Sequence, residues 1–227
     1  MIRIETQYRH EWKHEINYGD LMVLRQRLRA VMEQDEHAVG GSYRIRSLYF
    51  YNLEDKALRE KVDGVNLREK FRIRCYNEDY SVIHLEKKAK RGGLGCKFSA
   101  DLSVEETRAL LQGETAWMTK SGRPLVQELG CKMRSQGLRP MTLVDYTREP
   151  YIYRPGNVRV TMDYDIRTGL KSTDFLNPEA VTIPAGDEIV LEVKWDEYLP
   201  DIIRDLVWLP GRRAGAFSKY AECRRYG

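Results

Sequence analysis

Arg68, Lys70, Arg72 and Arg74 are cationic at every second position, while Leu67, Phe71, Ile73 and Cys75 occupy alternate positions of the same stretch. A β-strand sends successive side chains to opposite faces, so residues 67–75 read as a strand with one basic face and one largely apolar face. The pattern recurs. In VRVTMDYD, Val158, Val160 and Met162 oppose Arg159, Thr161 and Asp163; in EIVLEVKWD, Ile189, Leu191, Val193 and Trp195 oppose Glu192 and Lys194. One such strand is as readily the solvated face of a sheet edge. Several of them place charge on a common surface, and the chemistry this offers is capture of a polyanion. Forked guanidinium and point-like ammonium groups neutralise phosphate oxygens, and the few interspersed acids suit a divalent cation.

To act together, the charged faces must line a barrel whose apolar outer wall is covered by helices. The lining assigned from alternation is Arg9, Glu11, Lys13, Arg44, Arg46, Lys70, Arg72, Arg74, Glu86, Lys88, Lys97, Arg148, Arg159, Asp163, Glu192 and Lys194, in which bases outnumber acids. Two like charges ~6 Å apart at an effective dielectric of ~20 repel by about 3 kcal/mol. Such a lining therefore requires acids, water or a bound anion.

The elements that would carry it follow from periodicity. Residues 2–16 read as a strand, then a helix capped by Asp20 with Leu21, Leu24, Leu28, Val31 and Met32 at helical spacing. After Gly40-Gly41, SYRIRSLYFYN reads as a strand and LEDKALREKVDG as a short helix ending at Gly64. Residues 66–76, 80–90 and 94–102 form a meander that turns at Gly92-Gly93. Ser103 with Glu106 marks a capping box for a helix over 103–113, and a second helix spans 123–136. LRPMTLVDYTREPYIYR and NVRVTMDYDIR form a hairpin across Pro155-Gly156, a loop covers 167–185, and DEIVLEVKWDE is the last strand. A helix over 199–209 precedes the closing FSKYAECRRY. The count predicts an α+β fold, an antiparallel, closed eight-stranded tunnel β-barrel with flanking helices, as one domain over 1–227.

Lys and Arg number 38 against 34 Asp and Glu, a net charge of +4, so overall charge does not call for nucleic acid and any basic site is local. Cys75, Cys96, Cys131 and Cys223 are widely spaced and read as reduced, buried fillers in a soluble cytoplasmic protein. No stretch reaches the ~18 apolar residues of a membrane span. His10-Glu11-Trp12-Lys13-His14 matches the H-E-x-x-H zinc signature, with Glu33 in range as a third ligand. That motif needs a helix, and these residues read as strand.

RHEWKH, RSLYF, KFRIRCY, LEKKAK with GLGCKFS, DYTREPY, VRVTMD, LEVK and FSKY, in this order over about residues 8–221, resemble the vacuolar transporter chaperone (VTC) catalytic domain. That domain belongs to the CYTH or triphosphate tunnel metalloenzyme superfamily. The resemblance implies a polyphosphate polymerase: an antiparallel tunnel barrel that adds the terminal phosphate of ATP to a growing inorganic polyphosphate chain, with Mn2+ or Mg2+. It implies phosphate-binding roles for Lys13, Arg72, Arg74, Lys88, Lys97 and Arg159, and a place near the tunnel mouth for Lys219. Glu192 looks like the metal-binding glutamate, with Glu11 or Asp163 beside it. Arg9, Arg46, Lys70, Arg148 and Lys194 join as substrate-binding cations of the assigned inner face. The superfamily's opening ExExK is here only Glu11-Trp12-Lys13, with Arg9 where the first acid would stand, which weakens a hydrolase assignment.

Eukaryotic members carry an added inositol-phosphate-sensing domain and membrane helices, so the likeness is to the stand-alone bacterial form, compatible with a membrane partner protein and with any oligomeric state. Two alternatives stay open. Water in place of polyphosphate makes the same site a metal-dependent tripolyphosphatase or nucleoside triphosphatase. Without turnover it is a module that holds polyphosphate or RNA ends, although cations inside a narrow barrel suit phosphates better than bases.

Overall fold

Alternating strands need partners on both edges, and the chain supplies them within one antiparallel sheet of eleven strands. The computed structural model describes residues 4–5, 9–52, 67–91, 94–212, 215 and 217–223. The strands are β1 (Ile4–Glu5), β2 (His10–Ile16), β3 (Glu33–Gln34), β4 (Tyr43–Tyr51), β5 (Leu67–Tyr76), β6 (Asp79–Arg91), β7 (Leu94–Leu102), β8 (Arg139–Tyr153), β9 (Val158–Thr168), β10 (Ile183–Pro184) and β11 (Ile189–Trp195). The α-helices are α1 (Tyr18–Val31), α2 (Val104–Leu111), α3 (Pro124–Ser135), α4 (Asp201–Val207) and α5 (Lys219–Cys223). Eight strands run seven residues or longer, the number expected from periodicity; β1, β3 and β10 are two-residue additions.

The strand order is β1-β7-β6-β5-β4-β8-β9-β11-β2. Both ends of this order come from the N-terminal segment: Ile4 and Glu5 pair with Phe98 and Lys97, whereas His10 to Ile16 pair with Trp195 to Ile189. Only residues 6–9 separate the two strands along the chain. Strand pairing among the described residues leaves the sheet open between β1 and β2, so the expected closure is not made by hydrogen bonding, and the expected strand over 2–16 is two strands serving opposite edges.

Local chemistry sets the ends of the elements. Asn17, rather than Asp20, is the N-cap of α1: its side chain accepts from the Asp20 amide while the Asp20 carboxylate accepts from the Asn17 amide. Ser103 and Glu106 form the same reciprocal box on α2, as predicted. β5 turns into β6 through Asn77 and Glu78, both at positive φ, the geometry whose twist matches a tight hairpin. Between β8 and β9, Gly156 lies at φ 72°, and a Cβ there would stand 2.6 Å from the Tyr198 carbonyl oxygen. The expected helix ending at Gly64 and the turn at Gly92-Gly93 lie outside the described residues, as does the side chain of Arg68.

Two apolar layers cover the outside of the barrel. Val158, Val160 and Met162 of β9 with Leu191, Val193 and Trp195 of β11 pack under Leu21, Leu24 and Leu28 of α1 and Ile203 and Val207 of α4. Phe71, Ile73 and Cys75 of β5 with Ile83 and Leu85 of β6 pack under Leu110 of α2 and Val126, Leu129 and Met133 of α3. A third cluster, including Tyr43, Ile45, Tyr49, Val144, Tyr146, Val190 and Cys223, fills part of the inner face. Cys75 and Cys223 are buried, as expected of fillers; Cys96 is half-buried and Cys131 exposed.

Register corrects one assignment. Arg46 pairs across the ladder with Cys75, and Ser47 with Arg74, so Arg44 and Arg46 belong to the outer face together with Leu48 and Phe50. Arg46 is buried there, forking onto Asp145 at 3.0 and 2.9 Å and donating to the Asn177 carbonyl. Arg44 pairs with Glu78 at 2.9 Å. Replacing Arg46 with alanine leaves the buried Asp145 carboxylate only the exposed Arg44, at 3.6 Å, so Arg46→Ala is expected to lose up to about 3 kcal/mol of stability in denaturant titration. Tripolyphosphate binding by the folded variant should stay at the wild-type level; a variant of normal stability that no longer binds would return Arg46 to the site.

Candidate functional site

The inner face carries the complementary half of the alternation. From β5 come Lys70, Arg72 and Arg74, and the β6 residues facing them in the ladder are Lys88, Glu86 and His84. β7 adds Lys97, opposite Lys88. β11 presents Glu192 and Lys194, flanked by Lys13 and Glu11 of β2 on one side and by Thr161 and Arg159 of β9 on the other. Arg148 of β8 faces Asp163 of β9, and α5 brings Lys219 to the same carboxylate.

Three groups of ion pairs hold this charge. Glu86 accepts from Arg72 and Lys97, each at 2.6 Å, with Arg74 at 3.8 Å. Arg74 also donates to Ser47 Oγ and the Tyr146 hydroxyl, and Arg72 to the Tyr49 hydroxyl. Asp163 takes both arms of Arg148 at 2.6 and 2.7 Å and Lys219 Nζ at 2.6 Å. Glu192 lies 3.3 Å from Lys13, 3.1 Å from Lys194 and 3.7 Å from Arg148; the same two lysines reach Glu11 at 2.6 and 3.9 Å. Burial alone would raise the pKa of Glu86, Asp163 and Glu192, yet the surrounding cations outweigh it and hold all three below the usual range, Asp163 at about 2. All three are ionised at neutral pH.

Lys88 is the exception among the cations. It is reached by solvent and makes no ion pair or hydrogen bond with a described residue. The neighbouring charge of Lys194, followed by desolvation, drives its pKa well below that of a free lysine. An anion entering here relieves that repulsion. Arg159 stands at the rim, bonded to Asp35 and to the Tyr43 hydroxyl, each at 2.8 Å. Arg9 is tied to Asp196 at 2.7 Å and to the Asn157 carbonyl beside the β8–β9 turn.

The carboxylates differ as metal ligands. Arg148 and Lys219 hold both oxygens of Asp163 at 2.6 and 2.7 Å, whereas the cations around Glu192 stand at 3.1 to 3.7 Å, so Glu192 is the more available ligand. Glu11 and Glu192 share Lys13 and Lys194 and project to the same face from the paired strands β2 and β11. No group of three or more His, Cys, Asp or Glu gathers among the described residues. A pair of carboxylates fits a Mg2+-like ion that takes its remaining ligands from phosphate oxygens and water. The H-E-x-x-H match is dissolved by the strand: His10 stacks on Trp195 on the outer face, and residues four apart on a strand are ~13 Å apart. Glu33 pairs with Arg154 instead.

Alternation alone did not single out the tyrosines. Tyr43, Tyr49 and Tyr146 orient Arg159, Arg72 and Arg74, and Lys219 Nζ also lies 4.8 Å from the centroid of the Tyr146 ring. The signal for Tyr43 and Tyr49 lies in the parity of β4, where tyrosines occupy positions 43, 49 and 51; Tyr146 comes from β8.

The VTC domain family model matches residues 8–226. Among solved structures, the PH1819 protein of Pyrococcus horikoshii shares 14% identity over 88% of this chain and 84% of its own, with a TM-score of 0.47. A candidate adenylate cyclase of Bacillus halodurans shares 14% over 81% and 78%, with a TM-score of 0.46. The PH1012 protein of P. horikoshii shares 11% over 88% and 85%, also at 0.46. No curated protein matches.

Two measurements probe the charge arrangement. Lys88→Met removes an unneutralised cation, so the ligand-free variant should melt above the wild type while losing most of the stabilisation that tripolyphosphate confers. The pKa of Asp163 is lower in the folded state than in the unfolded one. Its contribution is therefore complete above pH ~4 and disappears as pH falls towards about 2. Asp163→Asn should flatten that part of the acid-unfolding profile, and an unchanged slope would show that other carboxylates set it.

Proposed function

The chain belongs to the VTC domain family, and from this footing we propose that it is a polyphosphate polymerase, transferring the terminal phosphate of ATP to a growing inorganic polyphosphate chain inside the basic tunnel. The observation that carries the reading is the surplus of inward-facing cations over Glu11, Glu86, Asp163 and Glu192, with Lys88 unpaired among the described residues. A linear row of phosphates supplies charge of the required sign along the full length of the lining.

Phosphoryl transfer asks mainly for positioning and neutralisation, because charge in the transition state spreads over the oxygens of the moving group. Arg72, Arg74 and Arg159 are already oriented by Tyr49, Tyr146 and Tyr43 and would clamp phosphates through forked bonds. Lys13, Lys88, Lys97, Lys194 and Lys219 would act as point charges, with Lys70 and Arg148 on the same lining. Glu192 with Glu11 would hold Mn2+ or Mg2+, which supplies further charge neutralisation when bound.

Proton balance favours transfer over hydrolysis. When a terminal phosphate oxygen attacks, the new P–O bond forms as the bond to ADP breaks, and ionised reactants become ionised products with no proton to remove. Hydrolysis releases a proton from water and needs a base. The buried carboxylates of this tunnel are each engaged by cations, which lowers their basicity.

Incubation with ATP and Mn2+, read by gel staining for polymer and by phosphate release in parallel, tests the reading. Polymer is expected. Free phosphate alone would point to a triphosphatase, and binding without turnover to a passive module. Arg72→Ala or Arg159→Ala should lower polymer formation by about 100-fold or more while the circular dichroism spectrum is retained; full activity in either would remove that arginine from the site.

A further inference from the structure

β9 presents three consecutive inward residues, Arg159, Thr161 and Asp163, while Val160 and Met162 between them are fully buried against α1 and its neighbours. Thr161 is itself buried, only 3% exposed, and faces Glu192 across the ladder. Its hydroxyl finds no hydrogen-bond partner among the described residues. The Nε of Arg159, two positions along the same face, is also buried without one. A threonine whose hydroxyl stays unpaired is costly where valine would fill the same shape, because the polar group loses water and gains nothing. The nearest carboxylate, Glu192, is occupied by Lys13, Lys194 and Arg148. The Cα atoms of these two residues stand ~7 Å apart on one strand, and both donors lack an acceptor among the described residues. An acceptor must therefore come from what enters the tunnel.

We propose that the Thr161 hydroxyl donates a hydrogen bond to a phosphate oxygen of the substrate lying beside Glu192, making Thr161 a substrate-contacting residue that fixes the register of the phosphate row. This rests on the tunnel being the polyphosphate site. Lysine and arginine attract phosphates anywhere along a basic lining, whereas a short, buried hydroxyl on a rigid strand recognises an oxygen at one depth only. Threonine serves this purpose because its β-branched side chain has few rotamers to lose.

The test is calorimetric titration of tripolyphosphate into the wild type, Thr161→Val, Thr161→Ser and Thr107→Val, with a thermal melt of each. Thr107 of α2 is another buried hydroxyl without a partner, outside the barrel, and calibrates the effect of removing such a group on stability alone. Thr161→Val should bind about 10- to 100-fold more weakly, the loss expected for a hydrogen bond to a charged oxygen. Its ligand-free melting temperature should equal or exceed that of the wild type. Thr161→Ser should bind within about 3-fold of the wild type, and Thr107→Val should bind normally. Wild-type affinity in Thr161→Val would overturn the proposal, as would weaker binding accompanied by a lowered melting temperature that serine does not restore. A wild type that fails to bind tripolyphosphate would instead overturn the tunnel reading together with it.

Discussion

Enclosing like charges is the constraint on which this molecule depends. Arginines and lysines from several strands and from α5 converge on one channel, and each would repel the others by kilocalories in a medium less polar than water. Glu86, Asp163 and Glu192 make the arrangement tolerable, each receiving at least two cations. Arg148 belongs to two of these groups at once, touching both Asp163 and Glu192, so the wall near β8, β9 and β11 forms one electrostatic unit. With much of the inner face committed to charge, most hydrophobic stabilisation comes from outside, where α1 to α4 cover the two larger apolar layers, while a smaller apolar cluster under α5 fills part of the interior. A one-residue slip in any long strand would turn its guanidinium groups into those layers.

How much of this could be read beforehand depended on whether a strand differs between its faces. β5, β9 and β11 alternate cleanly, and their lining followed from parity. β4 does not: eight of its nine positions are buried, because its outer face lies under helices and its inner face carries tyrosines and aliphatic residues. With both faces nonpolar, Arg44 and Arg46 were the only charges to go by, and they marked the outer one. What satisfies Arg46 is Asp145, ninety-nine residues away, a pairing that no periodicity reveals. The start of α1 is ambiguous in sequence for a simpler reason. Asn17 and Asp20 are both good capping residues at the spacing of a reciprocal box, and only the backbone geometry shows that the earlier one is the cap. Lys219 was legible only through the FSKY resemblance, since its contact with Asp163 depends on a short terminal helix returning to the barrel.

The same charge links stability to occupancy. A polyanion that binds only the folded state adds to its stability by mass action. Here the added term includes relief of repulsion that the empty channel already carries at Lys88, whose pKa the neighbouring Lys194 and then desolvation hold below that of a free lysine. Substitutions that quiet this repulsion therefore act in opposite directions on the empty and occupied states. A barrel optimised for stability alone would replace Lys88 with an apolar residue and Thr161 with valine, and would then have nothing left with which to distinguish a row of phosphates from water. The unpaired cation and the unpaired hydroxyl are best understood as half-interactions whose other halves arrive with the substrate. On this view the native structure is complete only when the channel is filled.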